Sequence, residues 1–358
     1  MRAIKGWLVL LAAGLLFACA APQVVATPTS LPSPPPRGTA RPSVTPYPSP
    51  TRAPTWTPEP TATAINPTLV ALPQDPYSVD ALRMRQYGGG DFEVLDEMGS
   101  YDEFVRYKIH YVSDGLNIYG YVNAPHGNGP FPVVIALSGY KDPGKSKILD
   151  YVVDATDALA THGYVVFHPN LRGDAPSDGG DNFFRDGYAV DVLNLVALIQ
   201  SRAGSGGVMS KINPNAIGLW GHGLGGAVAL KVAAISSQIK AVVLYAPMSG
   251  DEQKNSQFLM ALTGSEENRR EVSASVAQMD AVSADRHYGY IKAAIQLHHG
   301  TADSVIPAWW SEETCEKFDA AGTNHQCYFY DGAEYTFKTS YLVHMDERVL
   351  RLYGDYLK

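Results

Sequence analysis

Short, mainly apolar runs recur along this chain and fix its class: PVVIAL at 132–137, GYVVFH at 163–168, KAVVLY at 240–245 and AAIQLH at 293–298. Apolar residues on successive positions mark a strand buried on both faces, the signature of a parallel sheet packed between helices. The segments between them have helical spacing at 151–161, 187–201, 227–235, 311–321 and 345–357, and further strands are predicted at 216–220 and 326–330. In the 187–201 helix, Val190, Leu193, Val196, Ala197 and Ile199 supply the apolar face. Repeated units of this kind give an α/β fold with a mostly parallel central sheet and helices on both faces. Ahead of them, 104–112 alternates, Ser113-Asp114-Gly115 is a turn signal, and 117–122 completes an antiparallel hairpin at one sheet edge. Residues 251–287 are polar, contain no buried strand and break the alternation. They read as a helical lid inserted over one end of the sheet.

Composition separates this domain from what precedes it. Of the 25 prolines in 358 residues, 16 lie before Tyr77. Pro fixes φ and donates no hydrogen bond, so the Pro/Thr/Ser-rich stretch cannot bury a core and forms an extended spacer. The first 76 residues carry five basic and two acidic groups, so the net charge of −8 becomes −11 for residues 77–358. An acidic surface keeps such a domain soluble and argues against a nucleic-acid partner, which needs a basic face.

Arg2 and Lys5 precede a 12-residue apolar run at 7–18, the length of a signal-peptide core. Leu16-Phe17-Ala18-Cys19 resembles the bacterial lipobox. That resemblance implies removal of residues 1–18 and a lipid on Cys19. It also implies an extracytoplasmic location, with membrane contact through the anchor only. Residues 19–76 are then a disordered tether and 77–358 one folded domain. Cys315 and Cys327 remain in an oxidising compartment, either as a disulfide or as two separate small core residues.

Five motifs fall in a telling order. Gly221-His222-Gly223-Leu224-Gly225 follows a strand and opens a helix, and looks like the G-x-S-x-G nucleophile elbow of the α/β-hydrolase fold. Arg172-Gly173 with Ser177-Asp178-Gly179, and the helix start at Gly187-Tyr188, come before it. His299-Gly300-Thr301-Ala302-Asp303 and Asp331-Gly332-Ala333-Glu334-Tyr335 come after it. Together they resemble the hydrolase domain of the prolyl oligopeptidase family of serine peptidases and esterases, over residues 77–358. The resemblance implies an α/β-hydrolase fold and a Ser–His–Asp triad.

The residues depart from that triad. Asp303 stands at the acid position, but Gly223 takes the nucleophile position and Tyr335 the histidine position. The oxyanion loop reads Ser138-Gly139-Tyr140, which leaves the backbone N–H groups of Tyr140 and Leu224 as donors. Gly reaches the positive φ of an elbow at little cost, so the turn survives without its side chain. Ser138 has no identifiable base. His222 should point into packing, and of His298 and His299 one should enter the core and one face the cleft. His344 is placed at the start of the closing helix. No ligand spacing suggests a metal and no fingerprint suggests a dinucleotide or other cofactor. The expectation is a non-catalytic pseudo-hydrolase domain that binds a small ligand, peptide or envelope partner, with Tyr335 beside Asp303 and both facing Gly223. The alternatives are a hydrolase with residual or altered activity and a structural protein with a filled cleft.

Overall fold

A computed structural model describes residues 75–142 and 147–358. The signal segment, Cys19 and the tether, apart from its last two residues, lie outside the described residues. Nine strands form one sheet in the order β1-β2-β3-β5-β4-β6-β7-β8-β9. The strands are β1 (Phe92–Ser100), β2 (Phe104–Ser113), β3 (Leu116–Pro125), β4 (Phe131–Leu137), β5 (Val165–Asn170), β6 (Ile212–His222), β7 (Ile239–Tyr245), β8 (Ala294–Gly300) and β9 (His325–Tyr330). The first three and β5 pair antiparallel, and every pairing from β5 through β9 is parallel.

The apolar runs behave as double-sided strands must. In β4, Val133, Ile135 and Leu137 enter one core while Val134 and Ala136 enter the other. The first core is roofed by α3 (Asp186–Arg202), α4 (Leu224–Ile235) and α8 (Ala308–Ala321); the second by α2 (Val153–Thr161) and α9 (Thr339–Leu357). A short helix, α1 (Val79–Met84), is capped by the Ser78 hydroxyl. Neither α1 nor β1 was expected from the sequence. β1 is an edge strand whose residues are mostly exposed, so it carries no apolar signal. Among the described residues no helix is long and apolar enough to cross a membrane. Cys315 on α8 and Cys327 on β9 are joined as a disulfide, with Cα atoms 6.6 Å apart.

The inserted segment is α5 (Glu252–Thr263), α6 (Glu266–Val272) and α7 (Val276–Val282). Asp251, Ser265 and Ser275 cap their first turns, which accounts for part of the polarity. The rest is internal. Arg185, at a left-handed φ of 63°, donates to Glu252 at 2.8 Å, to Glu271 at 2.9 Å and to Ser256 at 3.0 Å. Lys231 of α4 lies 2.7 Å from both Asp186 and Glu252. All five charged groups are buried. Buried charges persist only when paired, so this cluster bolts α5 and α6 to the start of α3 and the second half of α4. The segment is an anchored cap, not a polar flap.

Candidate functional site

β6 ends at His222, α4 begins at Leu224, and Gly223 makes the turn between them at φ 54° and ψ −117°. An L side chain is strained at that angle, so glycine relaxes the turn. The turn is held by the Gly223 N–H donating to the Tyr245 carbonyl at 3.0 Å. The Gly223 carbonyl accepts from Gly226 and Met248 at 3.0 and 2.9 Å. The neighbouring Gly225 is packed so tightly that a Cβ there would sit 2.4 Å from the Leu137 carbonyl oxygen. The elbow is thus fully built around a glycine.

Tyr335 fills the gap. A Cβ placed on Gly223 would lie 2.2 Å from the Tyr335 hydroxyl, and one on Gly139 would lie 2.8 Å from it. The Tyr335 ring stacks on His222 with centroids 4.3 Å apart, and His222 stacks on Tyr245 at the same distance. Burial and the nearby charge of Asp303 push the Tyr335 phenol well above its usual range, so it stays protonated and is no base at neutral pH.

His222 points into packing, as expected. The Gly139 N–H donates to the Tyr151 hydroxyl at 2.6 Å, and Tyr151 lies 2.8 Å from His222 Nδ1. His222 Nε2 lies 3.3 Å from the Tyr335 carbonyl oxygen. With its oxygen already accepting from Gly139, Tyr151 donates to Nδ1, and Nε2–H donates to that carbonyl. Burial holds this imidazole down at about 4, so it is neutral at pH 7. One donor of the oxyanion loop is therefore already engaged by Tyr151. Leu224 opens α4, where first-turn N–H groups have no intrahelical partner. Tyr140 is exposed. The space lined by Ser138, Gly139, Leu171, Asp174, Tyr188 and Leu224 measures about 10 Å³, room for about one water. Lys141 lies 3.2 Å from both Asp150 and Asp174 at its edge.

Asp303 lies on the loop that follows β8. Its Oδ1 accepts from Val305 N–H at 2.7 Å and Ile306 N–H at 2.9 Å, and its Oδ2 meets His299 Nε2 at 3.0 Å. His299 Nδ1 lies 2.6 Å from the Ser311 hydroxyl. The side chains of His299 and Asp303 are fully buried, as is Ser311. No hydrogen bond joins Tyr335 to Asp303. Tyr335 and Asp303 are neighbours, close enough for the Asp303 charge to act on the phenol, but the acid's hydrogen bonds go to its own loop and to His299. The expectation that His298 or His299 reaches the cleft is corrected. His298 is also buried, between Tyr330 and Gln296, because the strand is covered on both faces. His344 is exposed within α9 rather than at its start. Ser138 lines the residual space with no base hydrogen-bonded to it. Tyr151 and Ser311 were missed by the sequence reading, since their partners lie 71 and 12 residues away and neither sits in a motif. Among the described residues no group of three or more His, Cys, Asp or Glu is suited to a metal ion.

A family model, the dienelactone hydrolase family, matches residues 118–347. No curated protein matches the chain. Among solved structures it is similar to a puromycin-hydrolyzing peptidase of Mycobacterium tuberculosis, with 21% identity and a TM-score of 0.55. That match covers 75% of this chain and only 39% of the peptidase. It is also similar to an acetyl xylan esterase of Paenibacillus sp. R4, with 16% identity and a TM-score of 0.57, over 78% of this chain and 92% of that one. An esterase of Pyrococcus furiosus matches with 18% identity and a TM-score of 0.56, over 71% and 94% of the two chains. These likenesses share the α/β-hydrolase fold.

Proposed function

The chain belongs to the dienelactone hydrolase family, and from that premise we propose that it is a non-catalytic member of it, a pseudo-hydrolase held outside the cytoplasmic membrane by a lipid on Cys19. The observation that carries this reading is the Tyr335 hydroxyl, 2.2 Å from where the Cβ of a nucleophile on Gly223 would lie. Acyl transfer needs a nucleophile, a base in contact with it and an oriented acid. Here the nucleophile position has no side chain, its space is filled, and His222 is turned into a hydrogen-bonded stack. The remaining Ser–His–Asp chain, Ser311–His299–Asp303, is sealed from solvent. This favours a domain acting by binding or as a scaffold, away from the vacated cleft.

A fluorophosphonate probe tests the reading. No residue of the purified chain should be labelled, and a labelled serine, Ser311 included, would overturn it in favour of altered hydrolysis. The anchor is tested separately: Cys19→Ala should move the protein from the membrane fraction to the soluble extracytoplasmic one, and retention in the membrane would refute lipidation.

A further inference from the structure

Behind the elbow, between α2 and α9, lies a cavity of about 190 Å³. Its walls are Trp220, Tyr245, Phe337 and His222, with Tyr151 beside them, and Asp154 and Asp346 also line it. A smaller cavity of about 80 Å³ continues along the same helix pair and again touches Trp220 and Asp346. The aromatic walls are preformed: Trp220 and Tyr245 are each 5% exposed and Phe337 is 4% exposed. Trp220, Tyr245 and Phe337 hold one another in edge-on packing, with centroids 6.0 and 4.7 Å apart. The rim is different. Asp154 and Asp346 are exposed, and among the described residues neither forms an ion pair and no Lys or Arg lines the cavity. His222 adds no positive charge, being neutral at pH 7 for the reason already given. The indole N–H of Trp220 makes no hydrogen bond among the described residues and is not sealed from solvent.

Each element narrows the ligand. Two carboxylates without compensating cations repel anions and attract a positive charge. Electron-rich ring faces, Trp above all, bind cations that carry methyl or methylene groups, which lose little hydration on entering. The volume is below that of drug-sized sites, and a cavity on the order of 150 Å³ holds one benzene, so the ligand is a small molecule of similar size. The indole N–H of Trp220, which solvent can reach, can donate to an acceptor such as a hydroxyl oxygen on that ligand. We propose that the aromatic cavity between α2 and α9 is a binding site for a small organic cation of the quaternary-ammonium alcohol class, with Trp220, Tyr245 and Phe337 as the cage and Asp154 and Asp346 as its counter-charges. The site borders the elbow through His222 and Tyr245 but includes neither Gly223 nor Tyr335, and it involves no bond making.

The test uses the full chain, titrated calorimetrically and by Trp fluorescence with choline chloride and with its neutral isostere 3,3-dimethylbutan-1-ol. Choline should bind about tenfold more tightly than the alcohol, and Asp154→Asn with Asp346→Asn should abolish that preference while leaving alcohol binding unchanged. Trp220→Phe should remove the fluorescence change. Equal binding of the two probes, an unchanged preference in the double Asn variant, or no saturable binding of choline up to roughly 10 mM would overturn the proposal. Fluorophosphonate labelling reads out the other hypothesis separately, so the two can fail independently.

Discussion

The elbow after β6 and the acid loop after β8 are built to opposite rules. At the elbow the tight backbone turn is intact, position 223 carries no side chain, and Tyr335 occupies the space. In the acid loop the side chain is kept and fully engaged, with Asp303 satisfying two backbone donors and the buried His299. The contrast teaches that an acid at a triad position can persist because it holds its loop together. The same pattern appears in the cap, where Glu252 and Glu271 are retained inside the protein as partners of Arg185 and Lys231.

Removing the acid is the harshest way to break the comparison. Asp303→Ala strands two loop N–H groups and a buried imidazole, and should cost about 3–5 kcal/mol by chemical denaturation. A loss under about 1 kcal/mol would mean the loop does not depend on it. The next effect is one of pH. Burial holds His222 down at about 4 and His298 at about 3 in the folded chain. The unfolded chain binds these protons near about 6.5, so stability is complete above that pH and drains away as pH falls toward 4. For His222 alone the loss is on the order of 3 kcal/mol, and a His222→Gln variant should show a correspondingly shallower fall between pH 7 and pH 4.5. An identical slope would place the titration elsewhere. The smallest effect sharpens the elbow itself. Gly223→Ser should cost about 1–3 kcal/mol through overpacking against Tyr335. Adding Tyr335→Ala should recover part of it, with a coupling above about 0.5 kcal/mol. Additive losses would show that the hydroxyl does not fill the vacated space.

Much of the architecture was legible because its strands are short apolar runs with no competing pattern. In β4, β5 and β7 the bounds shift by only one or two residues from those expected. The edge strand β1 was invisible, since most of its residues are exposed, Val94 and Leu95 among them, so no buried face repeats along it, and its pairing with β2 is set by the sheet, not by its own pattern. At the site, the vacancies at Gly223 and Tyr335 could be read from motif order. Their consequence could not, because whether a tyrosine leaves a hole or closes one depends on where its ring stacks. The cap's role was hidden for a similar reason: Arg185 meets carboxylates 67 and 86 residues away, and composition reads those groups as surface polarity. The motif order that resembled prolyl oligopeptidases is assigned, at the level the comparisons reach, to the dienelactone hydrolase family.

The packing of Tyr335 over Gly223 has a consequence for how such a chain could change over generations. A serine arising first at 223 meets an occupied site and weakens the fold without adding chemistry. A histidine arising first at 335 finds no nucleophile to serve. Neither single step is rewarded, so under the pseudo-hydrolase proposal any route to turnover crosses a valley that only the two substitutions together would span.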